Sequence, residues 1–441
     1  MVCPTTRLPP ELVITIFELC LPARPRISSP HHAPLLVSHI NRSWRAFTLT
    51  APSLWSTAVF SHAGSPELLE LWLESSGELP LTLDLAANDE ARAYEYALEI
   101  MRHAPRWKDV RLNMPLQELR PLYDYAGVFP ALENLSIVAS EYPLAGREMG
   151  FESGSWQVAG AAPMLRSATF FAYGLLNVLL PLEDLTVLRL DSLPDPHKAV
   201  ALLKQCQVLE KFACQQYKTL ESILDGDSSI FTHCALSSID VAPETFVLLN
   251  LPNLRQVQLA CPTHNEALTR ASRFLRALVR RSNCQITSLC VYLGQNWRFR
   301  ELESLMDEYP GLVHLRLRFS SSDAGHEFRL VAHDDSSSLA AVFQPQAGRV
   351  RLAQLANLEI CDYGWWEMEQ LVAIVRQRGL QSLRWHSTLF TEPPTARELE
   401  KLQELKMDGV DVLVACGLHH VGRGVVSFVG TVPAGEAWWM E

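Results

Sequence analysis

The chain of 441 residues lacks any C-x-x-C pair, is short of cations relative to anions, and is without a long apolar run. Its ten cysteines are scattered, with no C-x-x-C pair, which excludes a disulfide-dense scaffold and the common zinc modules and predicts reduced, mostly buried thiols. Lys and Arg number 38 against 49 Asp and Glu, a formal charge of −11 that opposes general binding to nucleic acid or to an anionic membrane. No apolar run reaches the roughly 18 residues that a membrane span needs. Phe170 to Leu182 comes nearest and is interrupted by Asn177 and Pro181. The first seven residues lack the basic-then-apolar order of a signal peptide, so a soluble chain in the cytoplasm, the nucleus or both is expected.

Catalytic signatures are missing as well. No P-loop and no G-x-S-x-G elbow occur, and Gly422 to Ser427 approaches G-x-G-x-x-G without its last glycine. His326-Glu327 and His333 do not have H-E-x-x-H spacing, and the pairs His31-His32 and His419-His420 have no cysteine or carboxylate set beside them. No catalytic, cofactor-binding or metal-ligating residue is therefore nominated, no cofactor is expected, and an enzyme is the least favoured class.

What the chain does have is leucine at a repeated spacing. An L-x-x-L-x-L template, with other apolar residues as substitutes, recurs in twelve rungs anchored at Trp107, Leu132, Leu165, Leu185, Leu209, Leu236, Leu254, Ile286, Leu312, Leu355, Leu380 and Leu402. The mean separation of about 27 residues lies within the leucine-rich-repeat range. Segments with helical patterning, such as His264 to Arg281, Arg298 to Tyr309 and Trp366 to Arg378, lie between rungs. The expected fold class is α/β: an irregular solenoid, a horseshoe of short parallel strands with outer helices, because one such unit cannot bury its own apolar face. An ordinary α/β domain with leucine in its strands is the alternative. Leu54 to Phe60 and Leu79 to Leu85, separated by a helical Pro66 to Ser75, extend the alternation toward the N-terminus, and Ser320 to Asp323 with His333 to Ser338 predict a protruding loop.

Glu11 to Cys20 follows Pro9-Pro10 and stops at Pro22, which predicts one compact helix. Its apolar residues exceed one stripe. Leu12, Ile16 and Leu19 share one face and Val13, Phe17 and Cys20 an adjacent one, so this helix is expected to serve its own module and an interface.

Leu8-Pro9-Pro10-Glu11-Leu12, Ile16-Phe17, Leu21-Pro22, Leu36-Val37-Ser38, Trp44-Arg45 and Ala51-Pro52-Ser53-Leu54-Trp55, in that order, resemble the F-box family in its fungal style. Leu68 to Leu85 and Arg106-Trp107-Lys108 resemble the region that follows the F-box in such proteins. Two departures are a Pro/Ser/His-containing insert, Ala23 to Pro34, and His39 to Ser43 where a Cys-Arg pair is usual. The resemblance implies the substrate-recognition subunit of a Skp-cullin-F-box ubiquitin ligase, with a Skp-type adaptor and through it a cullin as partners, and an unknown protein substrate held by the repeats. It places Leu8, Pro9, Leu12, Ile16, Phe17, Leu21, Val37 and Trp44 in the module core and its adaptor-facing surface. The organisation expected is 1–60 F-box-like module, 61–105 connecting units that cap the solenoid, 106–410 repeats and 411–441 C-terminal cap or tail. A repeat scaffold without ligase assembly, its N-terminal helices serving as a plain cap, is the rival reading.

Side chains alternate along a strand, so residues flanking the last two template positions should point away from the core. Arg189, Lys211, Tyr292, His314, Arg316, Arg318, Arg384 and His386 are the substrate-contact candidates among them, together with Arg111, Asp240, Gln256, Gln258, Glu359 and Asp408. The rung with His314, Arg316 and Arg318 is locally basic and suggests an acidic or phosphorylated partner segment. A second cluster, Arg270, Arg273, Arg276, Arg280 and Arg281, has helical spacing and is expected to be mainly a solvated face.

Overall fold

A computed structural model of the protein describes residues 8–22, 30–60, 65–87, 90–125, 127–139, 162–171, 180–190, 196–214, 229–260, 267–293, 299–319, 342–343, 352–361, 368–387 and 396–416. Part of the expected 23–34 insert, the loop predicted between Ser320 and Ser338, the motifs around His326, His419 and Gly422, and the tail beyond 416 lie outside the described residues. The chain divides into two compact units, Met1–Ser192 with Gln205–Leu209, and Leu193–Lys204 with Glu210–Glu441.

The first unit opens with α1 (Pro10–Leu19), α2 (Leu35–Ile40) and α3 (Arg42–Leu49). Proline at the first position of α1 loses no hydrogen bond there. Asn41, extended at φ −159°, separates α2 from α3, and its Oδ1 caps α3 by accepting the Trp44 N–H at 2.9 Å. Val13, Phe17 and Val37 are buried in this module, with Phe17 and Trp44 ring centroids 5.0 Å apart. Trp55 links it to the layers that follow: Nε1 donates to the Thr48 carbonyl at 2.8 Å, and the ring meets Trp72 edge-on at 4.9 Å.

Then come β1 (Thr57–Phe60), α4 (Pro66–Ser75), β2 (Leu81–Ala86), α5 (Glu90–Arg102), β3 (Trp107–Met114), α6 (Arg120–Tyr123), β4 (Asn134–Ala139), β5 (Ser167–Phe171) and β6 (Val187–Leu190). All six strands pair in parallel in chain order.

The second unit takes up α7 (Pro196–Gln205) as far as Lys204, then β7 (Lys211–Cys214), β8 (Phe231–Thr232), β9 (Ser238–Val241), β10 (Leu249–Asn250), β11 (Gln256–Ala260), α8 (Ala267–Ser282), β12 (Ser288–Leu293) and α9 (Phe299–Glu308). It continues with β13 (His314–Phe319), β14 (Asn357–Cys361), α10 (Met368–Arg378), β15 (Ser382–Ser387), α11 (Ala396–Met407) and β16 (Asp411–Cys416). β8 and β10 form a small ladder of their own, and the other eight strands pair in parallel in chain order. The fold is thus α/β, with fourteen strands of parallel sheet and helices between many of them.

Template residues meet their counterparts across the sheet. Phe212, Ile239, Val257, Leu289, Leu315, Leu358 and Leu383 are register partners in succession and all are buried. The twelfth rung is a correction. Leu402, Leu405 and Met407 lie in α11, not on a strand, and Val412 of β16 occupies the place opposite Leu383. An L-x-x-L spacing fits one face of a helix as well as the template, and here Gly409 at φ +87° follows the helix and turns the chain into the strand. Asp408, expected to face outward from a strand, sits in that turn, and its carboxylate accepts from Arg376 Nε at 2.8 Å.

Two regularities extend the template. A buried residue lies three positions before the first leucine in many rungs, and its carbonyl accepts the leucine N–H: Phe129 with Leu132, Ala162 with Leu165, Leu251 with Leu254, Tyr309 with Leu312 and Leu352 with Leu355, at 3.0–3.3 Å. In the Leu236 rung the buried His233 accepts on Nδ1 at 3.2 Å instead. At the start of many strands a backbone N–H donates to the corresponding carbonyl of the previous rung. In the second unit this relay runs Ser237 to Glu210, Arg255 to Ser237, Thr287 to Arg255, Val313 to Thr287, Ala356 to Val313, Gln381 to Ala356 and Asp411 to Gln381, each at 2.8 or 2.9 Å.

Arginines tie neighbouring segments together. Arg106 donates to the carbonyls of Leu79 and Leu73 and to Ser76 Oγ behind α4, Arg281 to the carbonyls of Phe246 and Leu249, and Arg378 to the Phe343 carbonyl. A planar fork can satisfy several orphan carbonyls at once, which an ammonium cannot. Arg281→Lys should therefore lower stability by about 1–2 kcal/mol, read as a lower urea midpoint at unchanged slope; an unaltered midpoint would remove this role.

Candidate functional site

Two surfaces collect the residues nominated from sequence. The first is the outer side of α1. Leu12, Ile16 and Leu19 are 52%, 43% and 82% exposed, while Val13 and Phe17 one position along are buried. The helix therefore divides between two faces as its double stripe predicts. Leu8 and Pro9 are also exposed, Leu21 and Trp44 are half-buried, and Val37 is buried with Phe17, so the set separates into core and surface members. Leu36, Ile40 and Leu49 add exposed apolar side chains on α2 and α3. Glu18 at the end of α1 accepts from Ser53 Oγ at 2.6 Å, fixing the helix to the turn Pro52–Leu54.

The second surface is the outward side of β12 to β15. Register places Tyr292 opposite Arg318, Arg316 opposite Glu359, Glu359 opposite Arg384 and Cys361 opposite His386. Tyr292, His314, Arg316, Arg318, Arg384 and the backbone of His386 are thereby gathered on β12, β13 and β15, with Glu359 on β14 between the last two; the His386 side chain lies outside the described set. Arg189 and Lys211 are not brought to them: Arg189 belongs to the first unit, opposite Thr169, and Lys211 lies opposite Ser238.

The expected basic rung is largely neutralised. Arg316 meets Glu359 at 3.2 Å, with side chains only 17% and 15% exposed, and Arg384 approaches Asp411 at 3.9 Å. Burial pulls the Arg316 pKa down, but the Glu359 charge together with Cys361 and Cys290 outweighs it and the net direction is up. Glu359 is 43 residues beyond Arg316 in the chain, so its compensating role became visible only once the rungs were in register. Arg318 is arranged differently. It is exposed, its guanidinium stands over the Tyr292 ring at 4.8 Å, and it donates to the Tyr292 hydroxyl. Burial pushes the Tyr292 phenol up to about 12 against the opposing pull of Arg318. His314, its pKa lowered by burial, has Nδ1 2.8 Å from Asn357 Nδ2.

The α8 arginines are mostly committed. Arg276 pairs with Glu308, Arg270 lies 3.6 Å from Glu244 and Arg281 holds carbonyls, leaving Arg273 and Arg280 exposed. Among the described residues, no group of three or more His, Cys, Asp or Glu could hold a metal ion, and no helix is long and apolar enough to cross a membrane. Cys206, Cys214, Cys290 and Cys361 are free and buried, Cys20 and Cys234 free and exposed. Burial pushes the Cys206 thiol up to about 11 and Cys290 to about 12.

Two outcomes follow from this chemistry. Iodoacetamide near neutral pH should modify Cys20 and Cys234 well before Cys206 and Cys290, because only the thiolate attacks; peptide mass spectrometry reads the order, and early labelling of Cys290 would contradict its burial. Arg316→Met should cost about 2 kcal/mol by removing the cation closest to a shielded Glu359 carboxylate, and adding Glu359→Leu should restore most of it. Chemical denaturation of the single and double variants checks the pair. In comparison with known proteins, no family model matches the chain, and no curated protein matches it.

Proposed function

We propose that the protein is the substrate-recognition subunit of a Skp-cullin-F-box type ubiquitin ligase. Its N-terminal helices dock on a Skp-type adaptor and through it a cullin. The parallel strands and their connecting helices are read as an irregular leucine-rich-repeat solenoid that presents a face to a protein substrate. The observation that carries the first half is the division of α1: Val13 and Phe17 turn into the module while Leu12, Ile16 and Leu19 lie open to solvent on a helix whose neighbours expose Leu36 and Ile40. A helix that only covered the end of a sheet would gain nothing from a second apolar stripe facing water. The repeat half is supported by the relay of strand-start hydrogen bonds and the turn that recurs before many of the leucines, which give those rungs one local geometry.

The rival, a repeat scaffold whose helices are a plain cap, is favoured by one feature: Trp55 is buried, donates to the Thr48 carbonyl of α3 and packs edge-on against Trp72, so the module has a structural duty too. The two readings separate experimentally. Leu12→Asp with Ile16→Asp changes exposed positions, so the fold should be retained within roughly 1 kcal/mol while co-purification with a Skp-type adaptor is lost. Phe17→Asp, which buries a charge, should unfold the module instead. If the intact protein captures no such adaptor, or the double variant captures as much as wild type, the ligase assignment fails and the scaffold remains.

A further inference from the structure

On the outward side of β12 to β15 the charges are matched in place, with one exception. Arg316 has Glu359 beside it and Arg384 has Asp411. Arg318 has no carboxylate among the described residues; its partner is the Tyr292 ring and hydroxyl. An arginine carries five N–H donors in a rigid plane. The contact with the Tyr292 ring and the hydrogen bond from Nη1 to its hydroxyl restrict the guanidinium, and Arg318 is exposed. Less side-chain freedom then remains to be lost when an anionic group arrives.

We propose that Arg318, held against Tyr292 by its ring and hydroxyl, is the anchor for an anionic oxygen group, a carboxylate or a phosphate, on an extended acidic segment of a partner polypeptide lying across β12 to β14. The geometry of the fork suits either anion. Arg316 sits two residues earlier on the same strand but is internally neutralised by Glu359, so it contributes polarity and no net attraction. The chain as a whole carries −11 and repels polyanions, so any retention of an acidic peptide has to arise from a local cation of this kind. This proposal rests on reading the outward side of the sheet as the partner face and is independent of adaptor docking at α1.

The full chain is titrated into fluorescein-labelled Gly/Ser peptides carrying paired glutamates, a phosphoserine, or paired glutamines, with fluorescence anisotropy as the readout at low and high salt. Binding of the glutamate or the phosphoserine peptide but not the glutamine one is expected, and the arm that binds identifies the anion. Arg318→Gln should weaken it about tenfold or more. Arg318→Lys should weaken it nearly as much, since the charge stays and the fork is lost, and Tyr292→Phe less. Arg273→Gln with Arg280→Gln, exposed arginines of α8, should leave binding unchanged. Circular dichroism melts of each variant separate unfolding from loss of contact, and the Leu12→Asp/Ile16→Asp variant should bind the peptides as wild type does. Equal binding of all three peptides, binding of none, or a folded Arg318→Gln protein that binds normally would overturn the proposal.

Discussion

A parallel strand leaves its backbone groups slanted toward a neighbour that arrives only after a long connection, so every rung has to be delivered to the same height as the one before it. The hydrogen bond from the start of many strands to the predecessor's carbonyl does this. It is repeated from Ser237 through Asp411 at nearly constant length, and from Glu133 through Thr186 in the first unit. A slip of one residue would turn Leu315 outward and Arg316 into the core. Burial of the leucines, pairing of Arg316 with Glu359 and stacking of Arg318 on Tyr292 all depend on that alignment.

The same constraint explains why several arginines serve structure. Between strands the chain turns on short helices and 3-10 segments whose last carbonyls lack helical partners, and these must be satisfied when buried. Arg106, Arg281 and Arg378 reach back to such carbonyls from about thirty residues later in the chain. Each thereby joins one strand-and-helix segment to the next. An arginine-rich stretch such as α8 looks uniform in sequence, yet its members divide into carbonyl anchors, ion-pair partners and exposed side chains according to the direction each points.

Function is read from what this economy leaves over. On α1 it leaves an apolar stripe exposed among the described residues, the stripe that the proposed adaptor would bury. On the sheet it leaves Arg318, whose charge is oriented but not matched by a carboxylate among the described residues. The two lie on different elements, α1 and β13.

The leucine template, the double stripe of α1 and the absence of C-x-x-C pairs and catalytic motifs were legible from residues alone, because each depends on local spacing or composition. Eleven rungs of the template fall on strands for that reason, and the twelfth does not because L-x-x-L is ambiguous between strand-and-turn and helix until the chain around Gly409 is folded. The turn residue three before many of the leucines was missed, since Phe129, Ala162, His233 and Tyr309 share no side-chain chemistry and are united only by burial. Which charges cancel was likewise decided by tertiary structure. Arg316 and Glu359 are far apart in sequence and adjacent only through register, whereas Arg318, two residues away, faces a tyrosine. Sequence dictated which residues face outward, by the alternation of a strand; the order of strands in the sheet decided what each of them meets there.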